Sequence, residues 1–399
     1  MSQELISRSQ DLKRLREEGY AIEIREGHLL VHEIPYVTAN RNIKYGILVS
    51  DLTSVAGDIT VGPISNHVAY FIGELPCNSD GTPIDAIHNN SNPNQRLGKT
   101  IDINHVFSSK PKPPAQYADY YEKMVTYITV IVSQAEAIDS NVTAKPFTTI
   151  DTDEEQTVFN YGDTNSIKSK ISSVSSKLEG QNVAIIGLGG TGSYILDLVA
   201  KTPVEEIHLF DGDMFMQHNA FRSPGAPSIE KLREMRTKVD YFSEIYSEMR
   251  KNIHSHSYHI TAANIDELAR MKFVFLCIDK GEAKKVIVEH LVARHIPFID
   301  VGLGVLLVDD FLIGQARITT STTNKTDHLM DRISFSDAAG INDYSTNIQI
   351  ADLNALNAAL AVIKWKKLFN FYQDLGREFN TVYSINDGLL INEDYIDHS

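Results

Sequence analysis

Residues 182–193, NVAIIGLGGTGS, constrain what this chain can fold into more than any other stretch. A short apolar run leads into Gly187, Gly189, Gly190 and Gly192, and the following SYILDLVAK carries a helical period. A glycine loop between a strand and a helix lets backbone N–H groups approach phosphate oxygens, because no Cβ obstructs them. The start of the helix adds partial positive charge toward the same anion. Asp211 ends the next apolar run, roughly 20 residues on, where a carboxylate can accept hydrogen bonds from ribose hydroxyls. A nucleotide site is the expectation, although the glycines alone do not say which nucleotide.

The texture around this loop sets the fold class. EIHLFD, FVFLCID (273–279) and FIDVG (298–302) read as buried strands, with helical stretches over 229–250 and 282–294. The alternation predicts a Rossmann-like, doubly wound α/β domain: a mostly parallel sheet with helices on both faces. VLLVDDFLIGQARIT then reads as a strand pair, about 320–346 as a polar loop, and 353–371 as a long helix. At 399 residues the chain exceeds what one core usually supports. A smaller α+β domain is expected over residues 1–145, a polar linker over 146–180, and the nucleotide-binding domain over 181–399. The first of these opens with an amphipathic helix carrying Leu12, Leu15 and Tyr20. It continues through strand-like runs at 46–49 and 67–72 and a turn-rich loop near 77–97. A helix after Tyr117 places Tyr120, Met124, Tyr127, Ile128 and Ile131 on one face, and its tyrosines read as core.

Composition narrows the partners. A net charge of −15 repels phosphate backbones and anionic lipid, so neither nucleic acid nor membrane is an expected partner. The first residues are charged and do not resemble a signal peptide, and no apolar window reaches the roughly 18 residues that cross a bilayer. Cys77 and Cys277 are the only cysteines. Two are too few for a disulfide framework or a thiolate zinc site, so no zinc is expected and a reducing cytoplasm fits. His67, His88 and His105 match no ligand spacing.

One loop separates a triphosphate from a dinucleotide. FDGDMFMQHNAFR places Asp211, Asp213, Asn219 and Arg222 after the second strand, and Lys238 follows in the next helical stretch. A dinucleotide needs only the ribose acid here, whereas a triphosphate needs cationic donors and a carboxylate for magnesium. Asp279 ends FVFLCID, where open α/β sheets hold ligands. These segments, with LNAALAVIKWKKLFNFY near the end, resemble the adenylation domain of the ThiF, MoeB and ubiquitin-activating family over about residues 165–390. The resemblance implies ATP-dependent adenylation of a carboxylate, usually the C-terminus of a ubiquitin-like protein in a bacterial conjugation or defence-linked system. Such an enzyme works as a homodimer, with a conjugating enzyme as a further partner. By motif position Asp211 would hold the ribose and Asp213 would order the loop. Asn219 and Arg222 would grip phosphates, Lys238 the α-phosphate, and Asp279 a Mg²⁺ ion. An NAD(P)-dependent oxidoreductase and a non-catalytic scaffold are the competing functions.

The sequence departs from the family pattern in places. Lys280 stands where an Asn usually follows the strand-end Asp, and Ser223 follows Arg222 where many members have Gln. The arginine that often precedes the glycine loop is missing, with Lys168 or Lys170 as stand-ins. No cysteine follows Cys277, which itself lies in a buried strand. The acyl group therefore stays on the adenylate, passes to a partner, or is taken up as a thioester by Cys77, whose turn-rich loop suggests exposure. FSSKP and the helix after Tyr117 are similar to the domain that precedes this module in uncharacterised bacterial members.

Overall fold

The computed structural model describes residues 2–396 except 90–93, 112–115, 149, 151–156, 162, 164, 167–168, 170 and 336–347. Two compact units divide the chain, Met1–Ser176 and Lys177–Ser399. Lys168 and Lys170 lie outside the described residues.

The first unit is built on an antiparallel sheet. Its strands are β1 (Ile22–Arg25), β2 (His28–Val37), β3 (Ile43–Asp51), β4 (Val68–Ile72), β5 (His88–Asn89) and β6 (His105–Ser108), in the order β1-β2-β3-β4-β6-β5. Helix α1 (Gln10–Glu17) and helix α2 (Tyr120–Glu136) supply the apolar faces that cover it. Asp119 caps α2 by accepting from the Glu122 N–H at 2.8 Å, which satisfies one of the helix's unpaired donors. The face expected from its period is the one that is buried: Tyr120, Met124, Tyr127 and Ile131 are fully enclosed. The tyrosine hydroxyls find partners inside. Tyr117 donates to the Ser109 carbonyl at 2.7 Å, and Tyr120 accepts from the Ser54 N–H at 3.0 Å. His67, His88 and His105 form no ligand cluster among the described residues.

Lys123 breaks the apolar pattern of α2. Its side chain is wholly buried, donates to Ser50 Oγ at 2.8 Å, and is pushed down from 10.5 to about 8 by loss of water, with Asp51 opposing the shift. The unfolded chain therefore keeps a proton that the folded chain releases between pH 8 and 10.5, so stability rises with pH across that window. Below pH 8 the full cost of burying the cation is present. Lys123→Met is expected to stabilise the protein at pH 7 by about 2–4 kcal/mol, from about 1.4 kcal/mol per pH unit. Calorimetric melting of the full chain at pH 7 and pH 9.5 checks this, and a gain no smaller at pH 9.5 would refute the charge argument.

In the second unit a parallel core sheet carries an antiparallel extension. Its strands are β7 (Asn182–Ile186), β8 (Glu206–Phe210), β9 (Ile253–His256), β10 (Phe273–Leu276), β11 (Phe298–Val308), β12 (Phe311–Ser321), β13 (Asn380–Ser384) and β14 (Leu389–Glu393). Their order is β9-β8-β7-β10-β11-β12-β13-β14, parallel through β11 and antiparallel beyond it. This is the expected Rossmann-like architecture. Alternation along β7 sends Val183 and Ile185 to one apolar layer and Ala184 and Ile186 to the other, which is why the run is continuously apolar. Helix α3 (Gly190–Ala200) and the later helices α4 (Gln217–Ala220), α5 (Ile229–Arg233), α6 (Lys238–Ser247), α7 (Gly281–Ala293) and α8 (Ala351–Leu368) belong to this unit, as does a single turn of helix at Leu329–Arg332. Trp365 of α8 is fully buried among Phe273, Phe275 and Phe369.

The helical stretch expected over 229–250 is two helices. Met235 takes a positive φ of 50°, and Thr237 then caps a new helix by accepting from the Asp240 N–H. The strand expected at 298–302 runs on through Val308, because the hairpin to β12 keeps pairing out to Val308 and Phe311. Among the described residues, no helix is long and apolar enough to cross a membrane.

Candidate functional site

Chain order creates a gap at the carboxyl end of the sheet. From β7 the chain moves outward to β8 and β9, then returns to the other side of β7 for β10 and β11. The loops after β7 and β10 therefore part, and a ligand can sit between them. A cavity of about 540 Å³ opens there. Its walls include Gly187, Gly189, Gly190, Asp211, Asp213, Arg222, Lys238 and Asp279, so eight residues singled out from scattered motifs line one space.

The glycines have different tasks. Gly187 has φ +89°, and a Cβ there would stand 2.7 Å from the Cys277 carbonyl oxygen. A Cβ on Gly192 would strike the Gly187 carbonyl, and one on Gly190 would strike the Asn354 amide. Gly192 is required by the loop's own packing, and Gly187 and Gly190 by the close approach of the β10 end and of α8. At Gly189 the nearest atom, Gln349 Oε1, is 3.9 Å away, and the position faces the cavity. Gly189→Ala is accordingly expected to fold and to weaken ATP binding roughly 10- to 100-fold, by obstructing hydrogen bonds worth about 1.5–3 kcal/mol. Gly192→Ala is expected to lose the fold. Circular dichroism with nucleotide titration separates the two, and equal behaviour of both variants would remove this division of labour.

The acids and cations are interlocked. Asp211 is buried, and its carboxylate accepts from the Leu188 N–H at 2.7 Å and the Asp213 N–H at 2.8 Å. It also faces Lys238 Nζ at 3.4 Å. Lys238, itself buried, donates to Asp213 Oδ2 at 2.7 Å, and Lys238 beside it holds the Asp213 carboxyl below its usual range. Lys238 is the first residue of α6, and its backbone N–H donates to the Asp213 carbonyl at 2.9 Å. Arg222 follows α4 and presents a buried Nε with no hydrogen-bond partner among the described residues. No acid pairs with its guanidinium there. Asp279 lies exposed before α7, next to Lys280, which also lines the cavity.

Residues 165–324 are a ThiF family domain. The preceding residues 10–164 match a domain of unknown function, DUF6791. No curated protein matches the chain. Among solved structures the chain is similar to selenomethionine PaaA, at 16% identity over 56% of this chain and 76% of that one, with a TM-score of 0.44. It is also similar to E. coli MccB with ATP, at 16% identity over 57% and 71% of the chains, with a TM-score of 0.46. E. coli MccB with MccA-N7isoASN aligns at 16% identity over 56% and 67%, with a TM-score of 0.44.

Within the ThiF domain, several residues stand differently from the sequence expectation. Asn219, expected at phosphate, is buried and absent from the cavity wall; its Oδ1 accepts from the Met216 N–H at 2.8 Å, so it shapes the loop that carries Arg222. Asp211 and Asp213 both line the cavity; Asp211 also holds the glycine loop through the Leu188 N–H, and Asp213 has the more exposed carboxylate. Cys277, half-buried just past β10, forms part of the cavity wall, and burial with nearby Asp300 pushes its thiol up. Cys77, in the first unit, is buried rather than exposed. Its N–H donates to the Val37 carbonyl at 2.8 Å, its Sγ to the Leu75 carbonyl at 3.4 Å, and burial raises its thiol. The turn-rich loop that suggested exposure is stitched to the end of β2 and to Pro83.

The ThiF cavity also holds residues that no motif singled out. Lys284 of α7 and Arg317 of β12 line it and converge on Asp300, which is completely buried on β11, at 2.9 Å and 2.7 Å. Asn354 of α8 accepts from Thr191 Oγ1 at 2.9 Å and donates to the Arg222 carbonyl at 3.3 Å, tying α3 to the arginine loop. Gln349 Oε1 accepts from the Gly190 N–H at 3.4 Å. These come from segments far from the glycine loop, and their strand or helix periods mark them only as surface or core positions.

Proposed function

We propose that this protein uses ATP to adenylate a peptide or protein C-terminal carboxylate, releasing pyrophosphate. The observation that carries the reading is Arg222: a buried guanidinium nitrogen without a partner, on the wall of the cavity that Lys238 and Asp279 also line. An unpaired buried donor is costly unless an anion completes it. A nicotinamide dinucleotide has no need of this array, whereas a triphosphate does.

In the proposed reaction a carboxylate oxygen attacks the α-phosphorus of ATP. The new P–O bond forms as the bond to the bridging oxygen breaks, and that electron pair leaves with pyrophosphate. No proton moves at the attacking oxygen, so no protein base is required. The protein's work is positioning and charge neutralisation. The Gly189 and Gly190 N–H groups and the α3 terminus face phosphate, with Gln349 giving way. Arg222 and Lys238 neutralise phosphate charge. Asp279 and Asp213, both carboxylates on the cavity wall, would hold magnesium, which would supply positive charge against the phosphates. The substrate we assign is the C-terminus of a ubiquitin-like protein in a cytoplasmic bacterial conjugation system, with the enzyme acting as a homodimer that hands the acyl group to a conjugating partner.

Carboxylate-dependent ATP–pyrophosphate exchange tests this. Exchange is expected with magnesium and a free C-terminus, and not with the amidated form or with Asp279→Ala. NADH quenching without exchange would overturn the proposal. Cys77→Ala is expected to leave exchange unchanged, and intact-mass analysis is expected to find no adduct on the wild-type chain that a thiol reductant removes. Such an adduct would instead restore Cys77 as acyl acceptor.

A further inference from the structure

Away from the cavity, the outer strands of the ThiF sheet carry a side-chain cluster that adenylation does not use. Strands β8 and β9 pair in parallel with His208 opposite His254, and their imidazoles stack with centroids 4.6 Å apart. Glu206, two residues before His208, lies 3.1 Å from its Nε2 through Oε2. One ligand atom from each of Glu206, His208 and His254 falls within 4.8 Å of the others. We propose that these three residues bind a divalent transition ion of the Zn²⁺ class. Two imidazoles and one carboxylate suit zinc-like ions rather than magnesium or calcium, which take oxygen donors.

The graded exposure suits an ion site. His208 is fully buried and fixed, Glu206 is half-buried, and His254 is exposed, so an ion has an open side for entry and for a water ligand. Behind His208 lies a chain of polar groups. His208 Nδ1 is 3.1 Å from His256 Nε2, and His256 Nδ1 is 3.0 Å from the Tyr258 hydroxyl, which donates to Glu267 at 2.7 Å. Without an ion, His208 Nε2–H donates to the Glu206 carboxylate; a bound ion would take that proton's place and leave the remaining proton on Nδ1, donated to His256. This is the arrangement by which metal-ligating histidines are held in one tautomer. Arg270 opposes it: its guanidinium lies 3.4 Å from His208 Nδ1 and repels a cation, while Glu267 offsets part of that charge. The ion would clamp edge strand β9 to β8. The His256 carbonyl of β9 accepts the Asp211 N–H at 3.3 Å, so the clamp reaches the strand ends that carry the nucleotide cavity.

Zinc titration of the full chain, with saturating Mg-ATP present to occupy the cavity, tests the site by calorimetry. Wild type is expected to bind one equivalent of Zn²⁺, and His254→Ala and Glu206→Gln to bind it at least roughly 100-fold more weakly. His254 is exposed, so its replacement spares the fold, and unchanged pyrophosphate exchange in that variant verifies this. Co²⁺ in place of Zn²⁺ is expected to give visible absorption in wild type that His254→Ala lacks. No zinc uptake by wild type, or equal affinity in His254→Ala, overturns the proposal.

Discussion

Arg222→Ala is expected to slow carboxylate-dependent pyrophosphate exchange by about 10²- to 10³-fold, the usual loss when one preorganised donor to a developing anion is removed. Its melting temperature is expected to stay near wild type. The reason is specific to this guanidinium: Nε is buried yet makes no hydrogen bond among the described residues, so truncation breaks none of its bonds and removes an unmet need. Lys238→Ala makes a useful contrast. It would strip the cation from buried Asp211 and from Asp213 together, so activity and stability fall at once. If Arg222→Ala lost stability but kept exchange, the residue would be a structural element of the loop and the catalytic reading would fail.

Asp300→Ala is expected to cost about 3–5 kcal/mol of stability, the usual penalty for breaking a buried ion network from one side. Asp300 has no exposed surface, and both oxygens face cations, Lys284 at 2.9 Å and Arg317 at 2.7 Å. Removing it leaves two positive charges against each other at the cavity wall. For a unit of this size the melting temperature would drop on the order of 10 °C, at 2–4 °C per kcal/mol. Replacing all three residues together, Lys284→Met, Asp300→Leu and Arg317→Met, is expected to recover most of the loss, since an apolar cluster needs no pairing. Chemical denaturation of the three proteins decides the matter, and a loss below 1 kcal/mol in Asp300→Ala would mean that water solvates the triad.

How much of this was legible beforehand depended on whether the controlling interaction was local. The glycine loop and β8 are short segments whose period and turn chemistry act on themselves, so 182–211 could be read directly as strand, helix and strand. Asn219 could not be placed, because a motif position does not reveal that the amide would be consumed by the Met216 N–H. Cys77 misled for a related reason. Asn, Ser, Gly and Pro around it mark turns, yet exposure was decided by pairing with Val37, forty residues away in the chain. Lys123 lies on the buried face of its helix, and nothing local in the sequence shows that another strand supplies Ser50 as its partner. The Lys284–Asp300–Arg317 triad joins three elements, and no spacing in the sequence encodes it.

The break between α5 and α6 has a consequence for how this site can evolve. Phe215 accepts no slack there: its N–H donates to the Arg236 carbonyl at 2.8 Å, Met214 bridges Thr237, and the Lys238 N–H meets the Asp213 carbonyl. The ammonium is thus positioned by a count of residues measured from the DGD turn, rather than by the length of α6. Adding or deleting one residue between Met235 and Thr237 would swing the lysine by about 100° around the helix axis. The length of α5 is free of this constraint, whereas the three-residue splice sets where the ammonium stands.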